Sequence, residues 1–193
     1  MEKNTKALIF DIFGVLCDSY NGKWEKENLV DKPHLHQQFQ KLSDLVDLGK
    51  KFQSDYYSAA ALAVNKKPEE IKQVMEGGFT INVRLFNIIA ELRKKYNVAI
   101  CSNSGAKFVR EIFSKHGYPL EKYFDHVGIS SEIGLLKPAP AIFKYCTKQL
   151  NLKPEECIFL DDRAENLIGA EKAGMQTYLF TTQEEFETWL ING

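Results

Sequence analysis

Residues 7–16 of the chain read Ala7-Leu8-Ile9-Phe10-Asp11-Ile12-Phe13-Gly14-Val15-Leu16. The apolar first part has the length and composition of a buried parallel strand, and Gly14 interrupts the pattern soon after it. Asp11 would follow this strand at the edge of an α/β sheet where ligands bind. A carboxylate there is costly unless it is paired, binds a metal ion or takes part in chemistry. Asp11 is therefore a candidate site residue, and the alternative is an acid that caps the next turn.

The composition is that of an ordinary folded domain, with 193 residues, 44% hydrophobic and 26% charged. A net charge of −1 gives no indication of nucleic-acid binding. No apolar run approaches the roughly 20 residues that span a bilayer, and the N-terminus lacks the pattern of a signal peptide. We therefore expect a cytoplasmic protein with no nucleic-acid and no membrane partner. The four cysteines form no CxxC pair, which argues against a zinc site.

Four further apolar runs predict strands at about 98–101, 125–129, 157–160 and 177–180. Helices are predicted between and after them, at about 82–95, 106–116, 139–150, 165–173 and 184–190. Strands that alternate with helices indicate a parallel sheet with helices on both faces. The fold class predicted is thus α/β, with a Rossmann-like parallel sheet core.

The stretch from about residue 24 to residue 75 has apolar residues at helical spacing and no run typical of a strand. Pro68 followed by Glu69 and Glu70 is typical of a helix start. We interpret this part as a small all-helical insertion of three or four helices. The domain organisation predicted is an α/β core formed by residues 1–17 and 78–193, with a helical cap at residues 18–77.

Polar side chains that suit phosphate chemistry lie at the ends of the first strand and of the strands predicted at about 98–101 and 157–160, and in the loop before the last of these. They are Asp11, Ser102, Asn103, Lys137, Asp161 and Asp162. The carboxyl ends of parallel strands meet at one edge, so three carboxylates would repel one another there. A divalent cation and a lysine would neutralise them, and oxygen ligands suit Mg²⁺. An aspartate can then act as nucleophile while the cation, the lysine and the serine hold phosphate oxygens.

Taken together, these segments resemble the four motifs of the haloacid dehalogenase (HAD) superfamily over nearly the whole chain. The first motif is matched by Asp11-Ile12-Phe13-Gly14-Val15, and the second by Ser102. The third is matched by Lys137-Pro138 and the fourth by Asp161-Asp162. The residues after the acid pair, and the helical insertion after motif one, resemble the subfamily that includes the N-terminal phosphatase domain of soluble epoxide hydrolase.

This resemblance implies a role for each matching residue. Asp11 would be the nucleophile that forms an aspartyl-phosphate, with Lys137 as its catalytic partner. Mg²⁺ would be held by Asp11, the Phe13 backbone carbonyl and Asp162, with Asp161 as a further acid near the metal. The substrate phosphate would be bound by Ser102, Asn103 and Lys137. Asn166 would support the loop after the acid pair.

The chain departs from the family at Phe13, because HAD phosphatases carry a second aspartate there. That residue protonates the leaving group and then activates water, which phenylalanine cannot do. General acid–base catalysis contributes about 10²–10⁴-fold. We therefore expect slow turnover of alkyl phosphates, better turnover of substrates that leave easily, and a gain in alkyl phosphatase activity from Phe13→Asp.

The resulting prediction is a Mg²⁺-dependent hydrolase that acts on phosphate monoesters of a small phosphorylated molecule. Two alternatives stay open at this stage. The haloacid dehalogenases carry an aromatic residue at the position of Phe13 and need no metal, although they lack the adjacent acids Asp161-Asp162. A catalytically weak binding or regulatory protein on the same fold is the other alternative.

Overall fold

The computed structural model describes residues 4–18 and 21–192. The strands are β1 (Ala7–Phe10), β2 (Cys17–Asp18), β3 (Thr80–Ile81), β4 (Asn97–Ser102), β5 (His126–Ile129), β6 (Cys157–Asp161) and β7 (Gln176–Leu179). Five of them form one sheet in the order β5-β4-β1-β6-β7, and every neighbouring pair is parallel. The predicted Rossmann-like α/β sheet is therefore confirmed, with β1 at its centre.

The helices are α1 (Asn21–Asn28), α2 (Pro33–Asp47), α3 (Gln53–Val64), α4 (Pro68–Gly77), α5 (Val83–Leu92), α6 (Ala106–Lys115), α7 (Leu120–Tyr123), α8 (Ser130–Ile133), α9 (Pro140–Gln149), α10 (Ala164–Ala173) and α11 (Gln183–Asn192). A 3₁₀ turn at Pro154–Glu156 precedes β6. The five helices predicted after residue 80 are all present, although α5 ends three residues before the predicted boundary. Within the described residues, no helix combines the length and the apolar character needed to cross a membrane.

Helices cover both faces of the sheet because side chains of a strand alternate between its faces. Leu8 and Phe10 of β1 belong to a cluster shared with α5, α6 and α11. Ala7 and Ile9 belong to a second cluster, shared with α9 and α10. Every residue of β1 is fully buried as a result, and Asp11 leaves the strand from the interior of the protein.

Four helices, α1–α4, occupy the stretch in which three or four were predicted, and they have a hydrophobic cluster of their own. The aromatic residues Trp24, Tyr56 and Tyr57 lie inside it. The division of the chain at residues 17/18 and 77/78 stays a prediction. The antiparallel pair formed by β2 and β3 lies where these two boundaries were drawn.

Four short elements were not predicted from the sequence. β2 and β3 have two residues each, and α7 and α8 have four residues each. Such segments are too short to show a hydrophobic period, and they form because their neighbours position them. Among them, α8 has a functional consequence, since it contacts α2 and joins the helical segment to the sheet.

Candidate active site

The carboxyl ends of β1, β4 and β6 lie side by side and bring the predicted polar residues together. Asp11 follows β1 and is 6% exposed, and Asp161 ends β6 and is fully buried. The Nζ atom of Lys137 lies 2.8 Å from Asp11 Oδ1 and 2.6 Å from Asp161 Oδ2. We call Asp11, Lys137, Asp161 and Asp162 the strand-end cluster. Its lysine bridges two buried carboxylates.

Lys137 is held in place through its main chain. The Asn103 side chain accepts a hydrogen bond from the Lys137 backbone N–H at 2.8 Å and donates one to the Lys137 carbonyl at 3.0 Å. Gly169 of α10 lies against the Pro138 carbonyl, so closely that a Cβ atom there would be 2.1 Å from the carbonyl oxygen. Asn103 was predicted to bind phosphate; in the structure its amide is engaged with the lysine loop.

Asp161 uses its oxygens inside the protein. Oδ1 accepts hydrogen bonds from the Arg163 backbone N–H at 2.8 Å and from Asn166 Nδ2 at 3.0 Å, and Oδ2 accepts from Asn166 and Lys137. The buried Asn166 therefore fixes the acid that in turn orients the lysine. This arrangement suits a positioning role for Asp161 better than a place as a metal ligand.

Asp162, the next residue, is exposed. A Cβ atom on Gly14 would lie 2.3 Å from Asp162 Oδ2, and Gly14 has a φ of +81°. Both the backbone conformation and the close approach require glycine at this position. The turn after Asp11 and the carboxylate of Asp162 are thus in direct contact.

The strand-end cluster carries three acids and one base, and the pKa values reflect this excess of negative charge. Burial raises the pKa of Asp11 to about 6, although Lys137 opposes the shift and Asp161 adds to it. Burial alone would lower the pKa of Lys137, but Asp11 and Asp161 outweigh it and raise that pKa above its ordinary value. The pKa of Asp162 is also raised, first by burial and then by Asp161.

The donor set fits a divalent cation. One carboxylate oxygen from each of Asp11, Asp161 and Asp162 lies within 4.8 Å of the others. The Phe13 carbonyl accepts no hydrogen bond from any residue in the ranges 4–18 and 21–192. Hard cations such as Mg²⁺ prefer carboxylate and carbonyl oxygens, and one would offset the uncompensated negative charge.

Two serine hydroxyls near the cluster are buried and have no hydrogen-bond partner of regular geometry among the described residues. Ser102, at the end of β4, is 1% exposed and lies near Asp11. Ser104 is 3% exposed and lines a cavity of about 180 Å³ next to Phe13. An unsatisfied buried hydroxyl costs free energy, so both are suited to hydrogen-bond a ligand. Ser102 was predicted for this role, and Ser104 was not.

The same small cavity reveals a second residue that sequence reasoning missed. Asp47, the last residue of α2, lines it together with Phe13. A larger cavity of about 600 Å³ shares Val46, Gln53, Gly105 and Phe108 with it and extends between the helical segment and α6. The sequence feature that could have identified Asp47 is its place at the C-terminal end of a predicted helix, where the helix dipole disfavours negative charge.

Comparisons with known proteins bear on the family and the fold of this chain. A family model described as haloacid dehalogenase-like hydrolase matches residues 5–174. The D-ribitol-5-phosphate phosphatase of Bacteroides thetaiotaomicron is 29% identical over 189 residues, which cover 90% of this chain and 90% of that protein. The glyceraldehyde 3-phosphate phosphatase of Pyrococcus furiosus is 45% identical over 62 residues, 32% of this chain and 26% of that protein.

Among solved structures, the fold matches a HAD family enzyme from Bacteroides thetaiotaomicron in complex with magnesium and inorganic phosphate. The TM-score is 0.74 at 22% identity, and the match covers 94% of this chain and 98% of that one. At this level of identity the likeness establishes the fold.

Proposed function

This chain belongs to the haloacid dehalogenase-like hydrolase family, and we propose that it is a Mg²⁺-dependent phosphatase that works through an aspartyl-phosphate on Asp11. The family resemblance inferred from the sequence motifs is thereby confirmed. The observation that carries the proposal is the strand-end cluster, in which a buried lysine bridges two buried carboxylates next to an exposed third one. A protein without chemistry at this edge has no need for such a costly group of acids.

Asp11 is the nucleophile in this proposal because it directly follows the central strand, its partner is a lysine, and the Ser102 hydroxyl lies near it. The ion pair with Lys137 favours the carboxylate form that must attack phosphorus. Lys137 then faces the phosphate oxygens as negative charge develops on them, and the Ser102 hydroxyl donates to the same oxygens. Asp161 and Asn103 hold the lysine, one by its ammonium group and the other by its main chain.

Mg²⁺ would be held by the Asp11 carboxylate, the Phe13 carbonyl and Asp162. When bound, it supplies positive charge that draws a phosphate group toward a nucleophile that would otherwise repel it. Asp161 lies close enough to be a further ligand, but its oxygens already accept hydrogen bonds from Arg163 and Asn166. Gly14 allows Asp162 to approach the turn that carries the Phe13 carbonyl.

The substrate we propose is the terminal phosphate monoester of a small polyhydroxylated molecule. The D-ribitol-5-phosphate and glyceraldehyde 3-phosphate phosphatases, which the chain resembles, are named for such esters. The small cavity beside Phe13 presents polar groups, among them the unpartnered Ser104 hydroxyl. These groups suit the hydroxyls of a leaving group better than an apolar chain. Action in the cytoplasm stays a prediction.

The experiment that tests the function is a panel of alkyl, aryl and acyl phosphates assayed with and without Mg²⁺, with release of inorganic phosphate as the readout. We expect hydrolysis that requires Mg²⁺ and disappears on addition of a chelator. Asp11→Asn should remove it, whereas Asp31→Asn, which changes an exposed acid, should leave it unchanged. A correctly folded protein that releases no phosphate from any member of the panel would contradict the proposal.

The same panel separates the alternatives. A dehalogenase would release halide from a 2-haloacid, and a chelator would not affect it. A binding or regulatory protein would show no turnover, and its affinity for a phosphate ester would survive Asp11→Asn.

A further inference from the structure

The proposed reaction on an alkyl phosphate lacks a proton donor within the strand-end cluster. Phe13 stands where the family places its acid, and its ring has no proton to give. Lys137 is in ion pairs with Asp11 and Asp161, which makes its ammonium a poor acid. Asp161 accepts three kinds of hydrogen bond and does not face the cavity beside Phe13. The donor must therefore come from another part of the molecule.

We propose that Asp47, the last residue of α2, is the general acid and base of this site, and that it performs the proton transfers for which Phe13 is unsuited. The inference rests on the phosphatase function proposed above. Asp47 belongs to the helical segment, whereas the nucleophile belongs to the sheet. The acid would thus reach the leaving group from the side opposite the strand-end cluster.

The position of Asp47 is set by hydrogen bonds from the sheet side. The Asp47 carbonyl accepts a hydrogen bond of 2.6 Å from the hydroxyl of Ser130, the first residue of α8. The same hydroxyl accepts one of 3.0 Å from the backbone N–H of Ser104. One fully buried serine therefore ties the end of α2 to the loop that follows β4, beside the site.

The turn after Asp47 adds a second anchor. Gly49 has a φ of +70°, and a Cβ atom there would lie 2.5 Å from the Ser131 carbonyl oxygen. The backbone of the helical segment thus lies directly on α8. Two independent contacts, at Ser130 and at Ser131, keep the Asp47 side chain at the cavity that it shares with Phe13.

The Asp47 carboxylate is chemically free to act. Among the residues that the structure describes, it takes part in no hydrogen bond and no ion pair. Burial raises its pKa to about 7, repulsion by Asp44 on the same helix and by Asp11 below adds to the shift, and Lys137 opposes it. A carboxyl group with this pKa exists in both protonation states near neutral pH, as an acid–base catalyst must.

The reaction balances with this single group. The Asp11 carboxylate attacks phosphorus, the bond from phosphorus to the ester oxygen breaks, and the Asp47 carboxylic acid transfers its proton to that oxygen, so an alcohol leaves. Water then enters on the side the alcohol vacated. The Asp47 carboxylate takes a proton from the water as it attacks phosphorus, and the bond from phosphorus to Asp11 breaks. Inorganic phosphate is released, and both aspartates regain their starting states.

The decisive variant is Asp47→Asn, assayed on 4-nitrophenyl phosphate and on the alkyl phosphate that the wild-type protein hydrolyses fastest. We expect alkyl turnover to fall about 10²–10⁴-fold. Nitrophenolate leaves without a proton, so the variant should release about one equivalent in a rapid burst and then turn over slowly, because water is no longer activated. Wild-type alkyl turnover should decline above about pH 7, and this decline should be absent in the variant.

Asp44→Asn is the matched control, since Asp44 lies one turn earlier on α2 and is exposed. It should keep alkyl turnover within about twofold and move the decline to lower pH, because one source of repulsion is removed. An Asp47→Asn protein that keeps at least half of wild-type alkyl turnover, or an unchanged pH profile, would overturn the inference. A wild-type protein that hydrolyses aryl and acyl phosphates only would overturn it too, and would leave the proposed phosphatase function intact.

Phe13→Asp in the wild-type background provides a test that does not depend on the folding of Asp47→Asn. If Asp47 already transfers the proton, an aspartate at position 13 should raise alkyl turnover of the wild type by less than about threefold. In the Asp47→Asn background it should restore most of the lost turnover. A gain of tenfold or more in the wild-type background, as the sequence alone predicts, would show that the native protein lacks an acid.

Discussion

On the sheet side of the site Lys137 is paired with two buried acids, whereas on the helical side the Asp47 carboxylate has no hydrogen-bond or ion-pair partner among the described residues. Lys137 is in contact with two carboxylates, and Asp161 is held by Asn166 and a backbone N–H. The side chain of Asp47 is partly buried, and no hydrogen bond to its carboxylate is present among the described residues. Groups that hold a phosphate must be rigid and charged. A group that gives and takes a proton must be able to change its charge, so partners that favour one state would hinder it.

The largest expected effect comes from removal of the nucleophile. Asp11→Asn should reduce phosphatase turnover by about 10⁴-fold or more, since no covalent step remains. Steady-state release of inorganic phosphate, with circular dichroism to show that the protein is folded, measures it. Turnover within tenfold of wild type would mean that Asp11 is not the nucleophile. The assignment of covalent catalysis to the sheet side and proton transfer to the helical side would then be wrong.

Removal of the lysine tests whether the sheet side is a charge-balanced unit. Lys137→Met leaves Asp11 and Asp161 buried without their cation, which should lower the free energy of unfolding by about 3–5 kcal/mol. Activity should fall about 10²–10³-fold, because a donor to the transition state is lost. Lys94→Met changes an exposed lysine paired with Glu91 and is the matched control in urea unfolding. Equal stability of the two variants would contradict the charge-balance argument.

The contact between Gly14 and Asp162 predicts an effect on metal affinity. Gly14→Ala would force Asp162 away from the turn, and we expect the Mg²⁺ concentration for half-maximal activity to rise about 10–100-fold. Gly117→Ala is a matched control, because Gly117 also has a positive φ, of +86°, but has no atom near its Cβ position. Both variants should lose about 1 kcal/mol of stability from backbone strain. A similar Mg²⁺ requirement in both would show that Asp162 does not hold the metal.

The smallest expected effect is on thermal stability, and it concerns the charge of Asp47 on the helical side of the site. The folded-state pKa of Asp47, about 7, lies above its ordinary value of 3.8, so the wild type is destabilised progressively as pH rises between these values. Asp47→Asn carries no charge and escapes this cost. We expect its Tm to exceed that of the wild type by about 2–4 °C at pH 8 for each kcal/mol recovered, and to match it below pH 4. A lower Tm for the variant at pH 8 would mean that the carboxylate stabilises the fold and is not held at a cost.

Most of the sheet side was predictable from the residues alone, for a physical reason. Strands buried on both faces are continuous apolar runs, and a carboxylate directly after such a run is conspicuous. Asp11 and Asp161-Asp162 were found in this way, and parallel order then placed them at one edge. Asn166 was assigned to loop support, and the structure agrees, since it binds both oxygens of Asp161.

Asn103 shows the limit of this reasoning. The family resemblance implies a role at the phosphate for Asn103, and this role stays a prediction. The structure adds that its amide spans the gap to the Lys137 main chain, 34 residues away. No local pattern reports such a distant partner. The short helix α8 escaped prediction for the same reason, although its Ser130 joins the helical segment to the sheet.

What the sequence by itself determined is the sheet, its order of elements and the acids and lysine at its edge, because hydrophobic period and turn chemistry are local properties of the chain. Only the tertiary structure decided which acid of the helical segment lines the cavity beside Phe13. Asp47 is one of two acids in α2, and its place at the helix end is what distinguishes it from Asp44 along the chain. Asp47 is partly buried, lines the cavity and has no partner for its carboxylate in the part of the chain that the structure describes. These properties depend on the packing of α2 on α8, which joins residues more than 80 positions apart.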